Sequence, residues 1–263
     1  MVHHVVIPAR YASTRLPGKP LLDIGGRTMI QRVVEQAAAS GADQVLVATD
    51  DARIAAAVHD PRGRATPIAV MTDAALPSGT DRVAAAARQQ GWSDDTIVVN
   101  VQGDEPFVPP RLIDQVASLL AHDPLAAIAT LATPIESLHE FLDPNVVKVV
   151  FAADGAALYF SRAPIPWSRD GAGAGLRSQT EFSGALRHVG LYAYRVGALK
   201  RITAMAPSTY ELTEKLEQLR ALQAGLRITV ALCAESPGPG IDTDADLQRA
   251  RTRAATETGA RRP

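Results

Sequence analysis

The sequence predicts an α/β protein in which helices flank a mostly parallel β-sheet. Runs that are apolar throughout, such as residues 4–9 and 96–101, are typical of strands buried on both faces. These runs alternate with segments whose apolar residues recur at helical spacing, as in a sheet with helical crossovers. With 263 residues, 46% of them hydrophobic and 21% charged, the chain can form a large core. This composition excludes a mainly disordered protein.

The first half of the chain follows the alternation closely. A strand at 4–9 leads into a loop at 10–26 that is rich in Gly and Pro. A helix at 29–39 and a strand at 44–48 come next. A short helix at 53–58, a strand at 68–70, a helix at 80–90 and the strand at 96–101 complete this half.

The second half is less regular. It predicts a helix at 109–121 and strands at 127–132, 186–194 and 228–232, with a long helix at 211–224. Asp154-Gly155 between apolar runs at 146–151 and 156–160 indicates a hairpin. We therefore expect a single domain spanning 1–263, with a small hairpin-containing insertion at about 134–195.

Charge and cysteine content exclude several classes of protein. Lys and Arg number 27 against 28 Asp and Glu, so no basic excess indicates binding to nucleic acid or to a membrane surface. A lone cysteine, Cys233, cannot form an internal disulfide. No apolar run approaches the roughly 18 residues of a membrane helix, and the N-terminus has no signal-peptide pattern. We expect a soluble, cytoplasmic protein.

The loop after the first strand contains three basic residues. Arg10, Arg15 and Lys19 are separated by small residues, which let backbone N–H groups approach a polyphosphate while guanidinium groups hold its oxygens. The loop lacks the GxxxxGK[ST] spacing of a P-loop. The same pattern is typical of a solvated basic surface loop, and these residues alone leave both interpretations open.

Two acids stand where a sheet presents carboxylates to a ligand. Asp104 follows the strand at 96–101, although an Asp that caps a turn would look the same. Asp242 precedes Thr243 and Asp246, whose spacing is that of a capping box at the start of the last helix. Asp242 is thus free to face the ligand edge of the sheet.

Six blocks of sequence, in this order, resemble the 3-deoxy-manno-octulosonate cytidylyltransferase family. They are IPARYASTRLPGKPL (7–21), VNVQGDEP (99–106), LYFSRAPIPW (158–167), RHVGLYAYR (187–195), LEQLR (216–220) and GIDT (240–243). The resemblance extends over about residues 3–253. The six blocks in this order identify the family far more specifically than any single block does.

The resemblance implies a Rossmann-like fold of the nucleotide-diphospho-sugar transferase type, usually as a homodimer. It implies transfer of CMP from CTP to the anomeric hydroxyl of 3-deoxy-D-manno-octulosonate (Kdo), with Mg²⁺ and with release of pyrophosphate. The product would supply lipopolysaccharide synthesis in the cytoplasm. The insertion at about 134–195 would then carry contacts to the acid sugar and to the dimer partner.

The family's site residues map onto positions of this chain. Arg10, Arg15, Lys19 and Asp104 would be catalytic, with Asp104 and Asp242 holding Mg²⁺. This ion would lower the pKa of the sugar hydroxyl, so that no strong protein base is required. The positions implied to bind the nucleotide are Pro8, Ala9, Arg10, Arg15, Lys19, Ser78, Arg82 and Gln102. Within this segment Thr80-Asp81 also reads as an ordinary helix start, which leaves that assignment open.

The acid sugar would be held by residues of the irregular second half. Arg162 can pair bidentately with a carboxylate, and His188 and Tyr192 are four apart on one strand and so share a face. Glu217 and Gln218 match the LEQLR block. Without the resemblance, His188 would be interpreted as a structural histidine and Glu217 as a solvated helix residue.

Three other functions remain to be weighed. Cytidylyl transfer to another acid sugar, such as a sialic acid or the 8-amino analogue of Kdo, would fit the same residues. A non-catalytic nucleotide-sugar-binding module is disfavoured, because a binder has no need of both Asp104 and Asp242. A Rossmann dehydrogenase is disfavoured because no GxGxxG follows the first strand.

Overall fold

The computed structural model describes residues 2–12, 16–64, 68–171, 178–238 and 240–259. In these ranges the strands are β1 (His4–Ala9), β2 (Gln44–Thr49), β3 (Ala69–Met71), β4 (Ile97–Asn100), β5 (Ile128–Pro134), β6 (Lys148–Phe151), β7 (Ala157–Ser161), β8 (Leu186–Arg195) and β9 (Ile228–Leu232). The helices are α1 (Met29–Ala38), α2 (Ala52–Ala57), α3 (Gly79–Gln89), α4 (Pro110–His122), α5 (Leu138–Leu142), α6 (Val196–Thr203), α7 (Thr209–Glu214), α8 (Gln218–Gln223) and α9 (Asp244–Gly259).

One sheet carries the site, with the strand order β3-β2-β1-β4-β8-β5-β9. Strand β1 pairs in parallel with β2 and β4, β2 with β3, and β5 with β9. Strand β8 lies antiparallel between β4 and β5. The predicted mostly parallel α/β sheet is confirmed, and the reversed strand brings residues of the second half beside β4, the central strand.

The predicted hairpin is formed by β6 and β7, which pair antiparallel. Gly155 in their turn has φ = 82°, a backbone conformation that favours glycine. Strand β6 also touches β8, through the pair Lys148 and Arg187. The range 134–195 thus includes α5, the hairpin and β8, which belongs to the main sheet. The division into a domain and an insertion stays a prediction.

The core lies on both faces of the sheet, because side chains alternate along each strand. On β1, Val5 and Ile7 pack with apolar residues of α1 and α4. Val6, between them, packs on the opposite face with residues of α3, α6 and α8. Since both faces are covered, β1 is apolar throughout, which is the pattern that predicted it.

The parallel pairing of β1 with β4 brings the loops that follow them together. A Cβ at Gly103 would lie 2.9 Å from the carbonyl oxygen of Pro8, closer than Cβ contacts in folded proteins. Glycine therefore lets the loop after β4 pass against the end of β1. This places Asp104 beside the first loop of the chain.

The predicted long helix at 211–224 is wrong, because the structure divides it into α7 and α8. Lys215 follows α7 with φ = 56°, in the left-handed region that ends helices. Arg162 Nε donates a 2.6 Å hydrogen bond to the Glu214 carbonyl, an acceptor that a continuing helix would use itself. A tertiary contact therefore overrides the helical pattern.

Candidate functional site

A cavity of about 280 Å³ opens where β1 and β4 end. We call it the first cavity. It lies at the carboxyl edge of the parallel strands, where α/β sheets hold ligands. Its wall brings together residues predicted to bind a nucleotide or a metal: Pro8, Ala9, Arg10, Lys19, Ser78, Arg82, Gln102, Asp104 and Asp242. Arg15, predicted with them, lies outside the described residues.

Lys19 joins the two predicted metal ligands. It begins a short 3₁₀ turn after Gly18, and its Nζ lies 2.8 Å from Asp104 Oδ2 and 3.0 Å from Asp242 Oδ1. Burial alone would lower the pKa of Lys19, but the charges and hydrogen bonds of the two carboxylates raise it above its ordinary value. Ile241 donates its N–H to the Asp104 carbonyl and holds the two acid-bearing loops together.

Glu105 is a member of this group that the sequence did not single out. Burial, and then the nearby charges of Asp104 and Asp242, raise its pKa to about 8. A Cβ at Gly240 would lie 2.9 Å from Glu105 Oε1, so the loop before Asp242 packs closely against this carboxyl group. The sequence could have indicated Glu105 as a site residue, because it directly follows Asp104. Because its pKa is raised, Glu105 is mostly protonated near pH 7, and Asp104 and Asp242 carry the negative charge that a cation can neutralise.

The donor set at the first cavity fits Mg²⁺. Asp104 and Asp242 supply hard carboxylate oxygens, and the ammonium of Lys19 already occupies the position of a cation between them. Mg²⁺ is commonly held by one or two carboxylates that are completed by water and substrate phosphates. Within the described ranges, no group of three or more His, Cys, Asp or Glu side chains could hold a metal ion by itself. A metal here would therefore depend on phosphate oxygens for further ligands.

Ser78 and Arg82 line the first cavity and are held there by contacts at the start of α3. Ser78 caps α3, since its Oγ accepts the N–H of Asp81. Arg82 is buried on the next turn and donates to Thr72 Oγ1 at 2.8 Å and to Asp50 Oδ2 at 2.9 Å. Both interpretations of this segment are compatible with the structure: it starts a helix and it lines the cavity.

A second cavity, of about 140 Å³, adjoins the first and shares Gly79 and Gln102 with it. The predicted sugar residues Tyr192, Glu217 and Gln218 line it. Glu217 lies just before α8 and accepts a 2.7 Å hydrogen bond from Thr80 Oγ1. The break after α7 therefore places Glu217 and Gln218 at the cavity.

Asn100, at the end of β4, lines the second cavity and was missed by the sequence reasoning. It is buried, and its Oδ1 has no hydrogen-bond partner among the described residues; the same holds for Gln218 Nε2. An acceptor and a donor, each without a partner, thus lie in the wall of one cavity. Each of these buried atoms carries the desolvation cost of an unpaired polar group.

His188 lies beside the second cavity and lines a third, of about 280 Å³, together with Gln102, Glu105 and Arg187. Its ring centroid is 5.2 Å from that of Tyr192, so the predicted sharing of a face is confirmed. Burial lowers the pKa of His188 to about 3. The ring is therefore neutral near pH 7 and does not attract a carboxylate by charge.

Arg162 is not brought to any of the three cavities. Its guanidinium donates to the carbonyl oxygens of Glu214 and Pro144, at 2.6 and 2.9 Å, and its N–H donates to the Glu214 carboxylate. These hydrogen bonds hold the Arg162 side chain where the hairpin contacts α7. Direct pairing of Arg162 with a sugar carboxylate stays a prediction, and the geometry does not favour it.

None of the helices in the described ranges is both long and apolar enough to cross a membrane.

Comparison with known proteins gives a consistent result. A family model described as Cytidylyltransferase matches residues 4–228. A 3-deoxy-manno-octulosonate cytidylyltransferase of Thioalkalivibrio sulfidiphilus is 55% identical over 249 residues, covering 95% of this chain and 97% of that protein. One of Xanthomonas euvesicatoria pv. vesicatoria is 56% identical over 252 residues, with 96% of each chain covered.

Solved structures show the same relationship. A CMP:2-keto-3-deoxy-manno-octonic acid synthetase complexed with CTP superposes with a TM-score of 0.85 at 41% identity, covering 98% of this chain and 100% of that one. A cytidylyltransferase from Leptospira borgpetersenii superposes with a TM-score of 0.59 at 16% identity, covering 97% of this chain and 87% of that one. The second likeness concerns the fold alone.

Proposed function

The chain belongs to the cytidylyltransferase family, and from that membership we propose that it transfers CMP from CTP to the anomeric hydroxyl of Kdo. The observation that carries the proposal is the junction of two cavities at Gln102. The first cavity is lined by Arg10, Lys19 and two carboxylates, and the second by polar side chains suited to hydroxyl groups. A nucleotide and a sugar bound there would meet at Gln102.

The reaction is an in-line displacement at the α-phosphorus of CTP. The anomeric oxygen forms the new bond to phosphorus while the bond to the bridging oxygen of the β-phosphate breaks. Pyrophosphate leaves, and the proton of the hydroxyl group passes to water. The protein contributes position and charge. Lys19 lies at the cavity wall and can exchange carboxylate oxygens for phosphate oxygens, because its ammonium has three hydrogens. Arg10 lines the same cavity and adds a second cation.

Mg²⁺ held by Asp104 and Asp242 would supply the Lewis acidity that lowers the pKa of the attacking hydroxyl. Other residues of the chain orient the sugar. Tyr192, Glu217 and Gln218 line the second cavity and can hydrogen-bond its hydroxyl groups. Burial lowers the pKa of His188 to about 3, which makes its ring too weak a base for proton abstraction near pH 7, so it serves as a hydrogen-bonding residue and not as the general base.

The proposal extends to the setting of the enzyme. We propose that it is a cytoplasmic homodimer that supplies activated Kdo for lipopolysaccharide, as the resemblance of its six sequence blocks to the family implies. Sedimentation at several protein concentrations tests the dimer. A monomer at all concentrations would contradict it.

One experiment separates this function from its alternatives. The purified chain is incubated with Mg²⁺, each of the four ribonucleoside triphosphates, and Kdo, its 8-amino analogue or a sialic acid. Pyrophosphate release and the mass of the nucleotide sugar are then measured. We expect CMP-Kdo from CTP and Kdo. A larger kcat/KM with another acid sugar would reassign the acceptor, and binding of CTP and Kdo without pyrophosphate release would indicate a non-catalytic module.

A further inference from the structure

Thr130 lies next to His188 where β5 pairs with β8. It is fully buried on β5. Its Oγ1 is 2.9 Å from His188 Nε2, 3.1 Å from the Val189 carbonyl oxygen and 2.9 Å from the Leu191 carbonyl oxygen. One hydroxyl thus contacts one ring nitrogen and two carbonyl groups of β8.

A slip in strand register produces this arrangement. Thr130 pairs with Tyr192, but the next residue of β5, Leu131, pairs with Val189. Two residues of β8, Gly190 and Leu191, are therefore left without partners on β5. At this irregularity the carbonyl oxygens of Val189 and Leu191 lie within hydrogen-bond distance of the Thr130 hydroxyl, which can satisfy one of them.

Counting hydrogens fixes the direction of the bond to His188. A threonine hydroxyl has one hydrogen and two lone pairs, and a carbonyl oxygen can only accept. If the hydroxyl gave its hydrogen to the ring, its lone pairs would face both carbonyl oxygens at about hydrogen-bond distance, so the hydrogen goes to Val189 or Leu191 and the hydroxyl oxygen accepts from the ring. This requires a hydrogen on His188 Nε2. A neutral ring then carries its lone pair on Nδ1.

We propose that Thr130 is a positioning residue that fixes His188 in the tautomer with hydrogen on Nε2, so that Nδ1 accepts a hydrogen bond from a hydroxyl group of the acid sugar. The proposal deepens the proposed function and rests on it for the identity of the ligand. His188 is half-buried as a residue, and its ring contacts Tyr192, which lines the second cavity. An unprotonated Nδ1 would favour a ligand that places a hydroxyl donor there over a ligand that places another acceptor there.

The neutral state of the ring supports the assignment. His188 packs edge-on against Phe160, with ring centroids 5.0 Å apart and an interplanar angle of 82°. Phe160 and Thr130 are both fully buried. Burial lowers the pKa of His188 to about 3, so the uncharged ring, with one donor and one acceptor, is the form that meets the substrate.

The tautomer can be measured without any turnover. Long-range ¹H–¹⁵N correlation spectra distinguish Nε2–H, Nδ1–H and imidazolium, and His188→Asn identifies the signal to follow. We expect Nε2–H in the native protein and in Thr130→Ser, which keeps the hydroxyl. In Thr130→Val, which is isosteric, the Nδ1–H form should appear. An Nδ1–H ring or an imidazolium in the native protein near pH 7 would overturn the proposal, whether or not the variants fold.

Kinetics then test the consequence for the substrate. Thr130→Val should raise KM for Kdo by about ten- to hundredfold, the usual effect of losing one hydrogen bond at a buried partner, and should leave KM for CTP unchanged. Thr130→Ser should restore the native value. His188→Asn places a side-chain oxygen near the position of Nδ1 and should retain more activity than His188→Gln. A native KM for Kdo in Thr130→Val would contradict the positioning role.

The two proposals fail in different ways. If the chain produces no CMP-Kdo while the Nε2–H tautomer is observed and depends on Thr130, then the proposed function is wrong and the role of Thr130 toward His188 stands. If CMP-Kdo forms while the tautomer differs, only the inference about Thr130 is wrong.

Discussion

Lys19 donates a 2.8 Å hydrogen bond to Asp104, which lies 85 positions later in the chain. The pair joins the loop after β1 to the loop after β4, at the edge where the first cavity opens. The same ammonium reaches Asp242, so one cation neutralises two carboxylates. A triphosphate and its counterion can replace these contacts with stronger ones of the same kind, which prepares the site for its ligand.

Replacing Lys19 by methionine should impair the use of CTP. The variant keeps the side-chain length but loses the donor to phosphate oxygens, and it leaves Asp104 and Asp242 to repel each other. We expect KM for CTP to rise by about ten- to hundredfold, with a fall in kcat. Steady-state pyrophosphate release measures both. Lys200→Met, which removes an exposed lysine paired with Asp94, is the matched control and should behave as the native enzyme. Native kinetics in Lys19→Met would contradict the role of this lysine.

Asn100→Leu should make the protein more stable and less able to bind sugar. The unpartnered Oδ1 costs free energy in the absence of ligand, so an apolar side chain of similar size should raise the free energy of unfolding by about 1 kcal/mol. The same change removes a polar group from the second cavity and should raise KM for Kdo about tenfold. Thermal unfolding and steady-state kinetics provide the two readouts. A less stable variant with a native KM for Kdo would show that Asn100 has no part in the site.

Lys148 should be essential for stability although it lies outside the three cavities. The side chain is fully buried, and its Nζ donates to the carbonyl oxygens of Asp143, Val146 and Arg162, at 2.9, 2.6 and 2.7 Å. Lys148→Met leaves three partly buried acceptors without this donor and should lower the free energy of unfolding by on the order of 3 kcal/mol. Urea denaturation measures this, with Lys200→Met as the control. A loss below about 1 kcal/mol would contradict the assigned role.

His4 should contribute to a loss of stability in mild acid. Burial lowers the pKa of His4 below its ordinary value of 6.5, against an opposing effect of Asp43. Below that value the unfolded chain binds a proton that the folded chain does not, so the free energy of unfolding falls as the pH drops. His4→Phe can keep the stacking on Trp92, where the ring centroids are 4.3 Å apart, and it removes the titration. Its Tm should fall less than the native Tm between about pH 7 and about pH 5.

The control for this prediction is His59→Gln at an exposed position. It should show the native dependence of Tm on pH. If the Tm of His4→Phe declines as steeply as the native Tm, then His4 is not a source of the acid sensitivity.

Much of the fold follows from patterns that are local in sequence. Strands such as β1 and β4 are buried on both faces, so their apolar runs could be recognised without knowledge of their neighbours. The order of strands and loops then placed Arg10, Lys19 and Asp104 at one edge of the sheet. The capping pattern at Thr243 and Asp246 was also predicted, and both hydrogen bonds are present.

The remaining features depend on contacts between distant segments. The helix at 211–224 ends at Glu214 because Arg162, 52 positions earlier, binds its carbonyl group. The orphaned acceptor of Asn100 and the raised pKa of Glu105 arise from burial among residues of other loops. Likewise, the contacts of Thr130 with His188 result from a register slip in β8 that no local pattern indicates.

The central claim is that CMP transfer occurs at the edge where Lys19, Asp104 and Asp242 meet, and Asp104→Asn tests it most directly. The amide is nearly isosteric with the carboxylate but is a poorer ligand for Mg²⁺. The measurement is kcat for pyrophosphate release from CTP and Kdo at saturating Mg²⁺, with circular dichroism to show that the variant is folded. A fall of about a hundredfold or more is predicted, since the geometry of a bound metal contributes several kcal/mol to such reactions. A folded Asp104→Asn enzyme with a kcat near the native value would contradict the claim.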